Sequence, residues 1–273
     1  MIEKNEKQLI AESGLAPSLI SAELSRRLDN PPELFASYEI DSTNRRARSY
    51  HEDGAGRPAV FIADGQMAGR GRRGRSFSSP HGSGVYMSLL IYPEGELRDF
   101  TAVTTYTAVA VCRAIERVAG LHADVKWVND IFYKGKKIGG ILTEGALSSD
   151  MRTAEHVIVG IGLNVLKSEL PPEVARIATS IEEMTGRRVD RNLLIAEIVA
   201  EFFSGLEKIS SEEILEEYKR RSFLVGREVT VLKLNSSYPA RVIGIGKDMS
   251  LTLRLVDGSI ENLITGEVSI REK

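Results

Sequence analysis

The chain has 273 residues, 42% of them hydrophobic and 27% charged, and a formal net charge of −2. That balance describes a globular protein of one large domain, or one ordinary domain with a small appendix, and excludes a general polyanion binder. A single cysteine, Cys112, excludes an internal disulfide framework, no apolar run approaches the ~20 residues of a membrane helix, and the opening MIEKNEKQ lacks a signal-peptide core, so a cytoplasmic protein without a membrane partner is expected.

Residues 17–29 place Leu19, Ile20, Leu24 and Leu28 at helical spacing, and Pro31 and Pro32 end that helix. About forty residues precede the first plausible catalytic segment, too few for a helix-turn-helix domain with its own core, so no DNA-binding module is expected at this end. Leu34 to Ile40 reads as a strand, after which Asp41-Ser42-Thr43-Asn44 opens a helix ending near Gly54. Ser42 suits an N-cap. The other reading is that Ser42, Thr43 and Asn44 offer short polar groups to a ligand at a strand end; on local grounds the cap leads.

Ala59 to Ala63 is a continuous apolar strand that runs into DGQMAGRGRRGRSFSSPHGSG, residues 64–84. This stretch sets Arg70, Arg72, Arg73 and Arg75 among Gly69, Gly71 and Gly74. The glycines spell G-x-G-x-x-G, but a dinucleotide fingerprint must then open a helix. Ser76, Ser78, Ser79, Pro80, Gly82 and Gly84 cannot do so. A nucleic-acid patch and a solvated loop remain as ordinary alternatives. Arginine forks on flexible glycines at a strand exit favour a mobile cover over an anionic small molecule.

Val85 to Tyr92 is another strand, closed by Pro93. Asp99 to Val118 is a long helix carrying Phe100, Val103, Val111, Ile115 and Val118, with Gly120 as its stop and Cys112 as a structural thiol on its buried face. Val125 to Gly145 reads as a hairpin turning at Lys134-Gly135-Lys136, with Trp127 in the core. Of its charges, Lys126, Asp130, Lys136 and Lys137, the last is the better functional cation, because Gly139 and Gly140 leave room beside it. His156 to Asn164 is a strand whose terminal asparagine is either a turn residue or a reader of a base edge. Asp190 caps a helix with Leu193, Leu194, Ile198, Phe202 and Leu206 on one face, and Ser210 to Glu213 contains a capping box for a helix reaching about Arg221. After Ser222 come four short β-branched runs, 229–234, 240–245, 251–256 and 260–264, which suggest a small SH3-like barrel.

From Tyr38 onward the chain resembles the biotin protein ligases. DSTN at 41–44, GQMAGRGRRGR at 65–75, KWVND…KKIGGIL at 126–142 and GIGLN at 160–164 carry the resemblance in order, and GEVSIR at 266–271 resembles the family's C-terminal domain. The resemblance implies an α+β fold: a class II synthetase-like catalytic domain over 1–222, a mixed β-sheet packed with helices, and an SH3-like β-barrel over 223–273. It implies ATP-dependent ligation of biotin to a lysine of a biotin carboxyl carrier protein through biotinyl-5′-AMP, with ATP, biotin and Mg²⁺. Ser42, Thr43, Asn44 and Gln66 would then bind the biotin ring, and Arg70, Gly71 and Arg72 its tail and phosphate. Lys137 would sit where carboxylate meets α-phosphate. Arg72, Arg75, Phe77, Gly140 and Asn164 would hold the adenylate, and Asp130 would serve either a metal or the incoming amine. The catalytic set would be Lys137, Arg70 and Asp130, with the metal ligands unassigned. The family usually has tryptophan where this chain has Phe77 and proline where it has Val128; neither change removes a charge. A lipoate ligase or octanoyl transferase and a nucleic-acid-binding module are the rival functions. The acceptor and a homodimeric state stay open.

Overall fold

The computed structural model describes residues 6–93, 100–149, 153–233, 236–264 and 266–270. Helices α1 (Glu6–Ser13) and α2 (Pro17–Arg27) lead in, the second with Pro17 in its first turn, where a missing N–H costs nothing. Ile20 and Leu24 are buried, but Leu19 is 62% exposed, so the apolar face of α2 is narrower than its spacing predicts.

Seven strands then form one mixed sheet: β1 (Glu33–Ile40), β2 (Ala59–Gln66), β3 (Gly84–Ile91), β4 (Asp124–Lys126), β5 (Asp130–Tyr133), β6 (Lys136–Leu147) and β7 (Ala154–Asn164), in the spatial order β1-β2-β3-β7-β6-β5-β4. Only β1 and β2 run parallel, joined by α3 (Thr43–Glu52); the other neighbours are antiparallel. Successive residues of a strand point to opposite faces, and the central strands are apolar on both. Val60, Ile62, Leu89 and Val159 face the main core with α4 (Phe100–Ala119), α7 (Arg191–Phe203) and α8 (Glu212–Arg221). Ala59, Phe61, Leu90 and Ile158 face Ala47 of α3 in a second cluster. Short helices α5 (Pro172–Ala175) and α6 (Ile181–Thr185) follow the sheet.

The expected hairpin at 125–145 is three strands. Residues 127–129 separate β4 from β5, the Trp127–Val128 peptide is cis, and the tight turn is Lys134-Gly135, both at positive φ, with Lys136 already in β6. Cys112 is fully buried and burial pushes its thiol up to about 12, as a structural thiol requires. Asp190 caps α7 through the amides of Asn192 and Leu193. Leu193 lies outside the buried face and Leu206 beyond the helix. The capping box expected at Ser210–Glu213 is displaced: Ser211 is the N-cap and Ile214 takes its bond, whereas a reciprocal box forms at Ser180 and Glu183.

The C-terminal strands β8 (Glu228–Leu232), β9 (Ser237–Ile245), β10 (Leu251–Leu255), β11 (Ile260–Leu263) and β12 (Glu267–Ile270) form an antiparallel sheet ordered β11-β10-β9-β8-β12. β12 is a fifth strand that its short alternating pattern did not delimit. Asp99, Leu234 and Arg271, where three sequence segments begin or end, lie outside the described residues. Val229, Val231, Val242 and Leu251 belong to the same apolar cluster as Trp127 and Val128. The Trp127 indole N–H donates to the Met249 carbonyl at 2.9 Å, so Trp127 fastens this sheet to the larger one. Among the described residues no helix is long and apolar enough to cross a membrane.

Candidate active site

The β1–α3 junction lays Ser42, Thr43 and Asn44 at the mouth of the sheet. Ser42 occupies the N-cap position of α3, but its side chain makes no capping bond and lines a cleft instead. Local reasoning favoured the cap; the tertiary setting reverses it. The Thr43 amide donates to Gln66 Oε1 (2.9 Å), Gln66 Nε2 donates to Ser79 Oγ (2.9 Å), and Ser88 Oγ donates to Asn44 Oδ1 (2.5 Å). Asn44 Nδ2 donates to Glu144 (2.9 Å). Ser42, Thr43, Asn44 and Ser88 are all buried, and a buried polar set of this kind holds its dipoles in fixed directions. Gly160 is required beneath it, because a Cβ there would stand 2.3 Å from Asn44 Oδ1.

The arginine loop is a tongue. Arg70 bridges Ser76, the Gly71 amide donates to the Arg75 carbonyl (2.7 Å), and the Phe77 amide to the Gly69 carbonyl (2.9 Å); Arg73 and Gly74, both at positive φ, make the tip. Each arginine reaches a different anchor. Arg70 pairs with Glu144 at 3.1 Å, and Arg72 donates to Asn129 Oδ1 at 3.0 Å. Arg73 donates to the Leu232 carbonyl at 3.3 Å, and Arg75 grips Glu267 with two bonds of 2.8 and 2.7 Å. Burial lowers the pKa of Arg72, against the opposing pull of Asp130. Phe77 packs closely on Gly162, where a Cβ would stand 2.7 Å from its ring.

Across the cleft, Lys137 Nζ meets Asp130 Oδ1 at 2.6 Å. Asp130 is the register partner of Gly140, and a bulge after Ile131 shifts the pairing so that Lys137 faces Phe132. The ion pair therefore sits over Gly140, whose missing Cβ would be 3.4 Å from both charged atoms. Burial also lowers the pKa of Lys126, again opposed by Asp130.

The cleft brings together Ser42, Thr43, Asn44, Gln66, Arg70, Gly71, Arg72, Arg75, Phe77, Asp130, Lys137 and Gly140. Asn164 is the exception. It sits beyond Gly162 on β7, outside the lining, and its amide donates to the Thr179 carbonyl at 3.2 Å. Six cations (Arg70, Arg72, Arg73, Arg75, Lys126, Lys137) face two lining carboxylates (Asp130, Glu267), which favours an anionic ligand. Sequence reasoning missed Lys126, Asn129, Trp127 and the contribution of Glu267 and Val268 from β12. The WVND run offered a signal for Asn129; nothing local pointed to the C-terminal sheet.

This geometry agrees with what the chain is similar to. The model of the biotin/lipoate A/B protein ligase family matches residues 36–164. The bifunctional ligase/repressor BirA of Bacillus subtilis is 31% identical over 245 residues, spanning 85% of this chain and 72% of that protein. The biotin–[acetyl-CoA-carboxylase] ligase of Mycobacterium tuberculosis is 26% identical over 244 residues, 87% of this chain and 86% of its own. Among solved structures, the biotin protein ligase from Aquifex aeolicus in complex with biotin and ATP superposes with a TM-score of 0.75 at 28% identity, over 88% of this chain and 99% of that one. The chain belongs to the biotin/lipoate A/B protein ligase family. Within that family, these named relatives are ligases, two of them of biotin by name.

Proposed function

We infer that this protein ligates biotin to a lysine of a biotin carboxyl carrier protein, in two steps that share one cleft. The observation that carries the reading is the convergence of a buried, hydrogen-bonded polar set with a Lys137–Asp130 pair and four loop arginines. In the first step a biotin carboxylate oxygen attacks the α-phosphorus of ATP, and the bond to pyrophosphate breaks. Both reactants are anions, so the protein's contribution is alignment and charge. Ser42, Thr43, Asn44 and Gln66 take the ring; Arg70, Gly71 and Arg72 take the tail; Lys137 and Arg70 stand at the converging oxygens. Arg75, Phe77 and Gly140 serve the nucleotide. Asn164 acts at one remove: Thr179, which it holds, donates its amide to the Lys137 carbonyl at 2.9 Å.

In the second step a carrier lysine, once neutral, attacks the acyl carbon and AMP leaves. Asp130 is the lining carboxylate paired to Lys137, placed to orient that amine. A hard-oxygen donor beside a phosphate site also suits Mg²⁺, which takes one or two carboxylates and completes its shell with phosphate and water. The residues fit: Asp130 would hold the ion, and the ion would supply neutralising charge at the phosphates. The tongue is the cover that keeps water from the mixed anhydride, an ordering step of the kind lids use. The proposed partner is the carrier domain of a carboxylase, the proposed setting the cytoplasm, and the proposed division falls at 222/223.

The deciding experiment is pyrophosphate exchange into ATP with biotin, lipoate or octanoate as the acid, followed by transfer to a purified carrier domain. Biotin alone should support exchange, and the carrier should gain one biotin. Exchange with lipoate or octanoate and none with biotin would reassign the chain to the other branch of its family.

A further inference from the structure

A second group of chemistry-bearing side chains lies outside the cleft. His51 is near the C-terminal end of α3, eight residues or about 12 Å along the helix from Thr43. Beside it, Glu155 and His156 open β7, and one ligand atom from each of the three lies within 4.8 Å of the others. The two imidazoles are 3.9 Å apart between ring centres, tilted by 34°.

Tyr92 fixes the state of His51. The Tyr92 hydroxyl donates its proton to the Ala55 carbonyl, so toward His51 Nδ1, 3.2 Å away, it can only accept. His51 therefore carries a proton on Nδ1. Its Nε2 stands 3.8 Å from Glu155 Oε1, beyond hydrogen-bond distance. A cation held between the two would satisfy both. His156 adds an independent sign. It is only 8% exposed, and its Nδ1 is buried with no hydrogen-bond partner among the described residues. Burying such a nitrogen unpaired is costly.

We propose that His51, Glu155 and His156 form a binding site for a divalent transition metal, Zn²⁺ by its donor set, that braces α3 against β7. Two imidazoles and one carboxylate, with water as a fourth ligand, are donors zinc takes, whereas Mg²⁺ and Ca²⁺ prefer oxygen alone. Zinc bonds of about 2.0–2.2 Å bring ligand atoms closer than 4.8 Å, and the exposed Glu155 side chain (56%) can swing inward to close the set. Tyr92 is the outer partner that orients a ligating histidine. The brace would steady the helix whose first turn carries Thr43 and Asn44.

The test uses the full chain, stripped with chelator and titrated with Zn²⁺ alone, with Co²⁺ as a coloured substitute. One zinc per chain should bind and raise the melting temperature, and Co²⁺ should show visible bands of low coordination number. His51→Gln should abolish that uptake, Glu155→Gln should weaken it, and Tyr92→Phe should weaken it about 10–100-fold. Asp130→Asn should leave it unchanged, which separates this site from the cleft. Should His156→Gln fail to fold, the exposed Glu155 variant still decides. Equal zinc uptake by the parent and His51→Gln, or none by the parent, overturns the proposal.

Discussion

At Lys137 a single ammonium stands 2.6 Å from Asp130 with no side chain on Gly140 to separate them from the cleft. If that charge meets the converging oxygens, Lys137→Ala should lower biotin-dependent pyrophosphate exchange by about 10²–10³. Near-normal exchange would remove Lys137 from the chemistry. Arg72 is a different case. It is held against Asn129 beneath the tongue, and burial already lowers its pKa. Arg72→Gly should loosen the cover more than the ring pocket, whose hydrogen bonds come from Thr43, Asn44 and Gln66. Adenylate should escape faster in a filter assay with labelled ATP, while biotin affinity by calorimetry changes little. An unchanged escape rate would mean that the cover does not depend on this arginine.

Among the elements, the tongue and the C-terminal sheet turn out to be one structure. Arg73 and Arg75 are fastened to Leu232 and Glu267, and Trp127 is fastened to Met249. Trp127→Phe keeps an aromatic ring but removes the indole N–H and strands a buried carbonyl. The expected cost is about 1–3 kcal/mol, read as a lower urea midpoint. The adenylate should also leak, because Glu267 shifts with its sheet. Loss of stability without leakage would separate the C-terminal sheet from the cover. Element identity was legible beforehand wherever a strand or helix carried its own period: β2 with its apolar run, α4 with its spaced aliphatics, α7 with its Asp190 cap. The displaced capping box at Ser211 was not, since Ser210 and Ser211 are equivalent locally and only packing of Ile214 and Leu215 chooses between them.

For the whole molecule, α4, α7 and α8 are laced by ion pairs: Arg113 to Glu201 and Glu217, Arg117 to Glu197 and Glu201, Arg221 to Glu116 and Glu217. Arg221 lowers the pKa of Glu116 below the usual 4.5. Burial works against the same shift at Glu197 and Glu217, where Arg27 and Arg117, and Arg113 and Arg221, overcome it. A carboxylate depressed in the fold contributes stability above its unfolded value and loses it as pH falls through the folded one. Urea midpoints should therefore hold down to about pH 4.5 and fall below it, and Arg113→Gln should flatten that fall. An equally steep decline in the variant would place the acid-sensitive groups elsewhere.

Read alone, the sequence determined the order of the main strands and helices and twelve of the residues that line the cleft, because apolar period, turn residues and the four family motifs are all written within short stretches. It also favoured the cap for Ser42, gave no sign of the tie between Asn164 and Thr179, and left Lys126, Glu267 and the His51–Glu155–His156 group without a role. Only the tertiary structure decided those. Which side chains meet depends on the β5–β6 bulge, on the crossing of β7 between β3 and β6, and on where the C-terminal sheet docks. The bulge is an offset of pairing that no period records, and the other two are settled by contacts between residues tens to hundreds of positions apart.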